Sequence, residues 1–181
     1  HETVGKGHKA EEIVNLLDGL PYISARLVET RILVRAEGKS AHCMSPEKGR
    51  NAVALLLEAL VLLGDDLSHG SFVKAFHQTI GMEYTGEAFG CGMEDALSGR
   101  RTFNIGVAST DSDGRILLQS DIRYPASASY ETVAALVSEG AERAGFDYVE
   151  TDRLPPVYYE LSSPLVSCLL EAYQEITGDI E

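Results

Sequence analysis

One of the five histidines stands out because it lies in a strand-to-helix loop of small and polar residues and not on an apolar stripe. His42 sits within Gly38–Gly49, a run of small and polar residues between an alternating segment and an apolar one. Loop side chains held between regular elements are common functional positions. His42 is therefore a candidate functional residue, although the residues alone leave open an ordinary surface or capping histidine.

A second candidate is an arginine at the end of another alternating segment. Arg123 follows Asp121-Ile122 and precedes Tyr124-Pro125, where the proline restricts the backbone before it to extended geometry. The sequence therefore predicts that Arg123 is held at a strand end. The alternative at this position is a structural ion pair with Asp121 or another nearby carboxylate.

Metal-binding and nucleophile motifs are missing from the sequence. None of the five histidines lies in an H-x-D or H-E-x-x-H arrangement. The three cysteines, Cys43, Cys91 and Cys168, are widely spaced and form no C-x-x-C pattern. No G-x-S-x-G elbow, phosphate loop or dinucleotide fingerprint occurs either. We therefore expect no metal site in this chain and no self-contained catalytic centre.

The composition limits the classes of function. The 181 residues are 44% hydrophobic and 24% charged, which is ordinary for a folded soluble protein. A net charge of -13, from 15 Lys and Arg against 28 Asp and Glu, repels a phosphate backbone. No apolar run approaches the roughly 20 residues of a membrane span. We expect a soluble, cytoplasmic protein without nucleic-acid or membrane partners.

In the first half of the sequence the spacing of apolar residues changes between helical and alternating. These changes predict the elements that position His42. Ile13 to Leu17 have helical spacing, and the segment from Ser24 to Glu37 alternates as one or two half-buried strands do. Asn51 to Leu60 reads as a largely buried helix, followed by another around Phe72 to Ile80. Loop and short helix are expected for the glycine-rich passage Gly81 to Gly99.

The elements around Arg123 form a second series. Phe103 to Thr110 and Arg115 to Arg123 alternate on either side of an Asp-Gly turn, which predicts a hairpin. Ser129 is a predicted N-cap for a helix that ends at Gly145. A strand at Phe146 to Glu150 and a last helix at Pro164 to Thr177 complete the prediction.

The order strand, strand, helix, strand recurs loosely in both series. This recurrence predicts an α+β fold of two ferredoxin-like, βαβ-containing halves, each with an antiparallel sheet covered by helices on one face. We expect the halves to occupy residues 1–100 and 101–160. Residues 161–181 are expected to belong to a different domain, because they follow the Pro155-Pro156 break.

Three segments resemble one known family. Gly38–Ala52 fits the pattern G-K-x-A-H-x-x-x-P-x-x-G-x-N-A, which resembles the lid-domain histidine motif of the PepV-like Xaa-His dipeptidases. Ser120–Pro125 is similar to the lid strand that carries the family's substrate-binding arginine. Ser163–Gly178 is similar to the return into the catalytic domain. The three segments occur in family order within the co-catalytic zinc aminoacylase/carboxypeptidase superfamily.

The resemblance implies a role for each candidate residue. His42 would donate a hydrogen bond to the oxyanion of the tetrahedral intermediate, and Arg123 would pair with the C-terminal carboxylate of an unblocked dipeptide. The two zinc ions would have their ligands outside this chain, in a catalytic domain of the same polypeptide. The start without methionine likewise indicates an excised segment. The chain alone is expected to be an inactive lid (dimerisation-like) domain.

Two other functions stay open at this point. A free-standing ferredoxin-like module could dimerise or bind a small effector. A related enzyme of the same superfamily could act on acylated amino acids or carboxypeptidase substrates, in which case this domain would be a true dimerisation domain.

Overall fold

A computed structural model describes residues 10–42 and 45–179. Its contacts divide the chain into two compact units, and the boundary along the chain lies between Thr151 and Asp152. Within the described residues, the elements are α1 (Ala10–Asp18), β1 (Ile23–Val28), β2 (Arg31–Ala36), α2 (Ala52–Val61), α3 (Gly70–Thr79), β3 (Glu94–Asp95), β4 (Gly99–Arg100), β5 (Thr102–Thr110), β6 (Ile116–Arg123), α4 (Tyr130–Ala144) and α5 (Pro164–Thr177).

The strands pair in three antiparallel two-stranded ribbons, β1 with β2, β3 with β4, and β5 with β6. In the first ribbon Ile23 faces Ala36 and Val28 faces Arg31, so a two-residue turn connects the strands. Ile23 and Ala25 are buried while Ser24 between them is exposed, as alternation requires. The predicted strand segment Ser24–Glu37 is therefore a hairpin.

One apolar core is formed by the β1–β2 and β5–β6 ribbons and helices α1 to α4. Helix α1 contributes Ile13 and Leu17, which are four residues apart on one face. Helix α3 contributes Val73 and Phe76, which are 1% and 0% exposed. The same core continues through Phe103 of β5 and into α4.

The β5–β6 ribbon confirms the hairpin prediction. Phe103 and Ile105 point into the core, and a bulge at Gly106 shifts the register between Ile105 and Val107. At the tip, the Asp111 carboxylate accepts from the backbone amides of Asp113 and Arg115, both at 2.9 Å. This closed turn fixes the register that places Arg123 opposite Thr102.

Helix α4 begins and ends as its sequence predicts. The Ser129 hydroxyl accepts from the backbone amide of Thr132 at 3.2 Å, which satisfies one donor of the first turn. Gly145 ends the helix in the left-handed conformation, at φ 73°. Val133, Val137 and Ala141 form its buried face.

The strand predicted at Phe146 to Glu150 is wrong. These residues form no strand, and among the described residues they have no ladder partner. Phe146 instead packs its ring on Phe72 at 5.8 Å, and the Tyr130 hydroxyl donates to the Glu150 carboxylate. The alternating sequence had the right period, but a strand also needs a neighbour to receive its backbone hydrogen bonds.

The passage from Gly81 to Gly99 is mostly turn and loop, with the β3–β4 ribbon at its end. The short helix expected there is not formed. Phe89 and Cys91 from this passage nevertheless reach the core, where the rings of Phe89 and Phe103 stack at 5.0 Å. The passage therefore covers the apolar interior although its backbone is irregular.

The second unit contains α5, whose bounds match the predicted helix. Pro164 starts the helix at its first position, and Gly178 ends it at φ 71°. Its apolar side chains are exposed, with Leu165 at 65%, Leu169 at 61% and Ile176 at 85%. No helix among the described residues is both long and apolar enough to cross a membrane.

The predicted fold class is confirmed. The chain has a mixed α+β structure of helices and small antiparallel sheets, and this arrangement is compatible with a ferredoxin-like α+β fold. The division into halves at residues 1–100 and 101–160, and the assignment of 161–181 to another domain, stay predictions.

Candidate functional site

His42 lines an open cleft of about 600 Å³ in the first unit. One wall comes from residues 38–42 and 45–50, which we call the His42 loop. Two more come from the start of α2 and from the end of α3 with the segment that follows it. The fourth wall is β5 at Asn104 to Gly106, where the strand bulges. His42 itself is exposed, so its side chain faces the open space and not the core.

The stem of the His42 loop is closed by a pair of backbone hydrogen bonds. The Lys39 amide donates to the Arg50 carbonyl at 3.0 Å, and the Arg50 amide donates to the Lys39 carbonyl at 2.9 Å. Further along, the His42 carbonyl accepts from the Ser45 amide at 2.8 Å. Backbone hydrogen bonds therefore hold the chain before His42 and at His42 itself.

Two glycines of the family-like motif are required by close packing at this stem. A Cβ on Gly49 would lie 2.7 Å from the Lys39 carbonyl oxygen and 2.8 Å from the Ala41 Cβ. A Cβ on Gly38 would lie 3.0 Å from the Ala52 Cβ. A side chain at Gly49 would therefore force the stem to shift, whereas one at Gly38 would require its neighbours to give way by a few tenths of an ångström. Close packing thus explains why glycine occupies these two positions.

Asn51 follows the loop and joins it to the next helix and to β5. Its side-chain oxygen caps α2 by accepting from the amides of Val53 at 2.9 Å and Ala54 at 3.1 Å. Its side-chain nitrogen donates to the Asn104 side-chain oxygen at 3.0 Å and to the Ile105 carbonyl at 2.7 Å. All four hydrogen-bonding positions of the amide are therefore used.

The two basic residues of the stem have different surroundings. The Arg50 guanidinium lies over the Tyr22 ring, 3.2 Å from its centroid, and donates to the Glu37 carbonyl at 3.3 Å. Lys39 lines the cleft and makes no ion pair with any part of the chain that the structure describes. Lys39 is thus the more available cation of the two.

Arg123 forms the ion pair with Asp121 that its sequence neighbours allowed. The Arg123 Nε donates to one carboxylate oxygen at 2.8 Å, and Nη2 donates to the other at 3.1 Å. The side chains are 49% and 46% exposed. Exposed pairs of this kind contribute about 1 kcal/mol or less to stability. Asp121 therefore orients the guanidinium of Arg123, and another carboxylate can replace Asp121 at a small cost in free energy.

Arg123 does not line the cleft of His42, but it shares a ribbon face with a residue that does. In the β5–β6 register Asn104 faces Asp121 and Thr102 faces Arg123. These four residues project away from the core, because Phe103 and Ile105 between them are buried. The structure therefore brings His42 and Asn104 together, and sets Arg123 diagonally beyond Asn104 on the same face.

The chain beyond Arg123 is held by Asp95. One carboxylate oxygen accepts from the Ser98 amide and hydroxyl, and the other accepts from the Ser127 amide at 3.2 Å and its hydroxyl at 2.7 Å. These hydrogen bonds, first that from the Ser98 backbone, hold the pKa of the Asp95 carboxyl well below its ordinary value. The ionised carboxylate connects the β3–β4 turn to the loop after β6.

The cysteine that the structure places inside the core is not arranged as a nucleophile. Cys91 is 0% exposed, and burial, the largest influence on it, raises the pKa of its thiol. The neighbouring Arg101 is 1% exposed and donates to the Cys91 carbonyl. Cys91 and Cys168 are free thiols, and Cys43 lies outside the described residues.

The described residues, 10–42 and 45–179, contain no arranged metal-ligand set. No group of three or more His, Cys, Asp or Glu side chains in that part of the chain is arranged to hold a metal ion. The residues that line the cleft therefore do not themselves fit a zinc site.

Sequence reasoning missed three residues that shape the site. Asn51 carried a local signal, because an asparagine before an apolar helical run is a typical N-cap. Asn104 carried none, since its partner lies 53 residues away, and Asp95 gave no sign of its contact with Ser127, which lies 32 residues away. Contacts of that separation follow from the packing of ribbons and helices and have no local pattern.

Comparison with known proteins supports a relationship to peptidases. The chain is similar to proteins named "Putative dipeptidase" from Staphylococcus aureus strains USA300, NCTC 8325 and MW2, with 30% identity over 154 residues. The match covers 84% of this chain and 33% of each relative, so the chain spans about a third of their length. No family model matches the sequence. The similarity is that of a segment of a dipeptidase-related protein.

Proposed function

We propose that this chain is the substrate-binding lid domain of a PepV-like, zinc-dependent dipeptidase that hydrolyses unblocked dipeptides. The observation that carries the proposal is the position of His42, exposed in the wall of a cleft of about 600 Å³. The motif residues around it, Gly38, Gly49 and Asn51, are explained by packing and capping. His42 is the exposed imidazole of the motif, and it lines the cleft.

In this proposal His42 donates a hydrogen bond to the oxygen that becomes negative when the peptide carbonyl is attacked. Such a donor acts mainly on the transition state, and removing one typically costs about 10²–10³ in kcat. The paired hydrogen bonds of the loop stem support the role, because a donor must be held in place before the reaction.

Arg123 is proposed to bind the C-terminal carboxylate of the dipeptide. Its fork already holds one carboxylate, that of Asp121, in bidentate geometry. A substrate carboxylate would take the place of Asp121, an exchange that a half-exposed pair permits. The chain alone would then bind part of a substrate without hydrolysing it.

The proposed enzyme would hold two zinc ions in a catalytic domain of the same polypeptide, where such ions activate water. Because the described residues supply no ligand set, no step of the reaction is assigned to metal ligands of this chain. A cytoplasmic location belongs to the same proposal and rests on the sequence alone.

The proposal is tested by His42→Ala in the full-length protein that contains this chain. We expect kcat for an unblocked dipeptide to fall about 10²-fold or more with little change in KM. His77→Ala is the matched control, because His77 is also exposed but pairs with Glu58 and does not line the cleft. Equal activity of the two variants, or no dipeptide hydrolysis by the unaltered protein, would remove the proposal.

A further inference from the structure

We propose that Asn51 is a positioning residue that sets the place of His42 by connecting the His42 loop to strand β5. This inference rests on the proposed function. The starting observation is that the Asn51 side chain makes more hydrogen bonds than a helix cap requires. Capping α2 uses only its oxygen, whereas its nitrogen makes two further donations across to β5.

The first step concerns the two donations. Nδ2 lies 2.7 Å from the Ile105 carbonyl and 3.0 Å from the Asn104 side-chain oxygen, and both contacts are partly buried. Serine or aspartate would cap the helix as well as asparagine, but neither can make both donations. The cap therefore does not require asparagine, whereas the contact with β5 requires its amide nitrogen.

The second step concerns the path from Asn51 to His42. Asn51 is bonded directly to Arg50, and Arg50 is paired through both backbone groups with Lys39. His42 lies three residues after Lys39, in the lining of the cleft that Asn104 to Gly106 also line. In this proposal, fixing Asn51 against β5 fixes the closed stem, and the stem sets the place of His42 relative to β5.

The third step concerns the strand that receives the contact. Asn104 and Ile105 lie directly before the bulge at Gly106. On the same ribbon face Asn104 stands opposite Asp121, the partner of Arg123. Asn51 therefore connects the loop that carries one proposed substrate-contacting residue to the ribbon that carries the other.

The test uses Asn51→Ser in the full-length protein. Serine keeps an oxygen for the cap and is too short to reach β5, so we expect kcat for an unblocked dipeptide to fall at least about tenfold. Asn104→Ala is the second variant, since it leaves the cap untouched and removes one of the two acceptors. A smaller fall in kcat is expected there.

The control is Ser129→Ala, which removes the cap of α4 away from the cleft. Its unfolding midpoint should fall at least as far as that of Asn51→Ser, with kcat and KM unchanged. Equal kcat values for Asn51→Ser, Ser129→Ala and the unaltered protein would overturn the inference, because the contact with β5 would then have no effect on the reaction.

A double-mutant cycle separates positioning from general damage. If Asn51 acts through His42, Asn51→Ser should change kcat less than about twofold when His42 is already alanine. A full additional loss in that background would overturn the inference while leaving the role of His42 intact. Failure of the proposed function is a different result, in which the unaltered full-length protein does not hydrolyse dipeptides.

Discussion

The guanidinium of Arg123 and the carboxylate of Asp121 meet in a bidentate pair, 2.8 and 3.1 Å apart, two residues from each other on one strand face. The pair shows that the arginine is already oriented for a planar anion, and that an internal anion occupies the position. A ligand carboxylate must therefore compete with Asp121. The competition is weak, because both side chains are about half exposed.

Replacing Asp121 with asparagine should improve binding of a free carboxylate. The amide keeps the shape of the side chain but removes the competing charge, so we expect KM for unblocked dipeptides to fall by about two- to fivefold, the range of an exposed ion pair. Steady-state kinetics of the full-length protein provide the measurement. An increase in KM would mean that Asp121 serves chiefly to orient Arg123.

Replacing Arg123 with lysine should harm dipeptides more than amidated dipeptides. Lysine retains the charge and loses the planar fork, so only substrates with a free carboxylate lose a bidentate contact. The comparison of kcat/KM for the two substrates is the measurement. Arg115→Lys is the control, since Arg115 forms a similar pair with Asp111 at the hairpin tip. Identical losses on both substrates would contradict the assignment.

Replacing Gly49 with alanine should destabilise the protein and displace His42. The added Cβ would lie 2.7 Å from the Lys39 carbonyl oxygen, so the loop stem must open or shift. We expect a loss of about 1–3 kcal/mol in the free energy of unfolding, measured by urea titration, together with a lower kcat. Gly19→Ala is the control, because its Cβ would meet nothing closer than 3.6 Å. Equal stability of the two variants would contradict the packing argument.

Replacing Asp95 with asparagine should remove stability that depends on pH. The folded-state pKa of Asp95 is depressed, so its contribution is complete above the unfolded value near 3.9 and is lost as the pH falls toward the folded value. The variant should therefore be less stable at pH 7, and its difference from the unaltered protein should shrink below about pH 4. Urea unfolding across this range is the measurement.

Asp113→Asn is the control for that series, because Asp113 lies exposed at the hairpin tip and contacts only its neighbours. A pH-independent difference between Asp95→Asn and the unaltered protein would show that the carboxylate charge does not hold the Ser98 and Ser127 donors.

The elements with strong local signals could be predicted from the sequence. The Asp-Gly step predicted the β5–β6 turn, Ser129 and Gly145 predicted both ends of α4, and Pro164 predicted the start of α5. Each signal acts within a few residues, through a hydrogen bond to the nearby backbone or a restricted dihedral angle. Phe146–Glu150 had the period of a strand but lacked a neighbouring strand, so its local pattern did not decide its structure.

For the candidate site, the sequence by itself determined the residue types, the glycines of a tight loop and the resemblance that drew attention to His42 and Arg123. Only the tertiary structure decided that His42 faces a cleft, that Arg123 is held by Asp121, and that Asn51 reaches Asn104 across 53 residues. The physical reason is the separation along the chain between the residues that interact. Caps and turns form between neighbours in the chain, whereas a cleft exists only where packed helices and ribbons bring distant residues together.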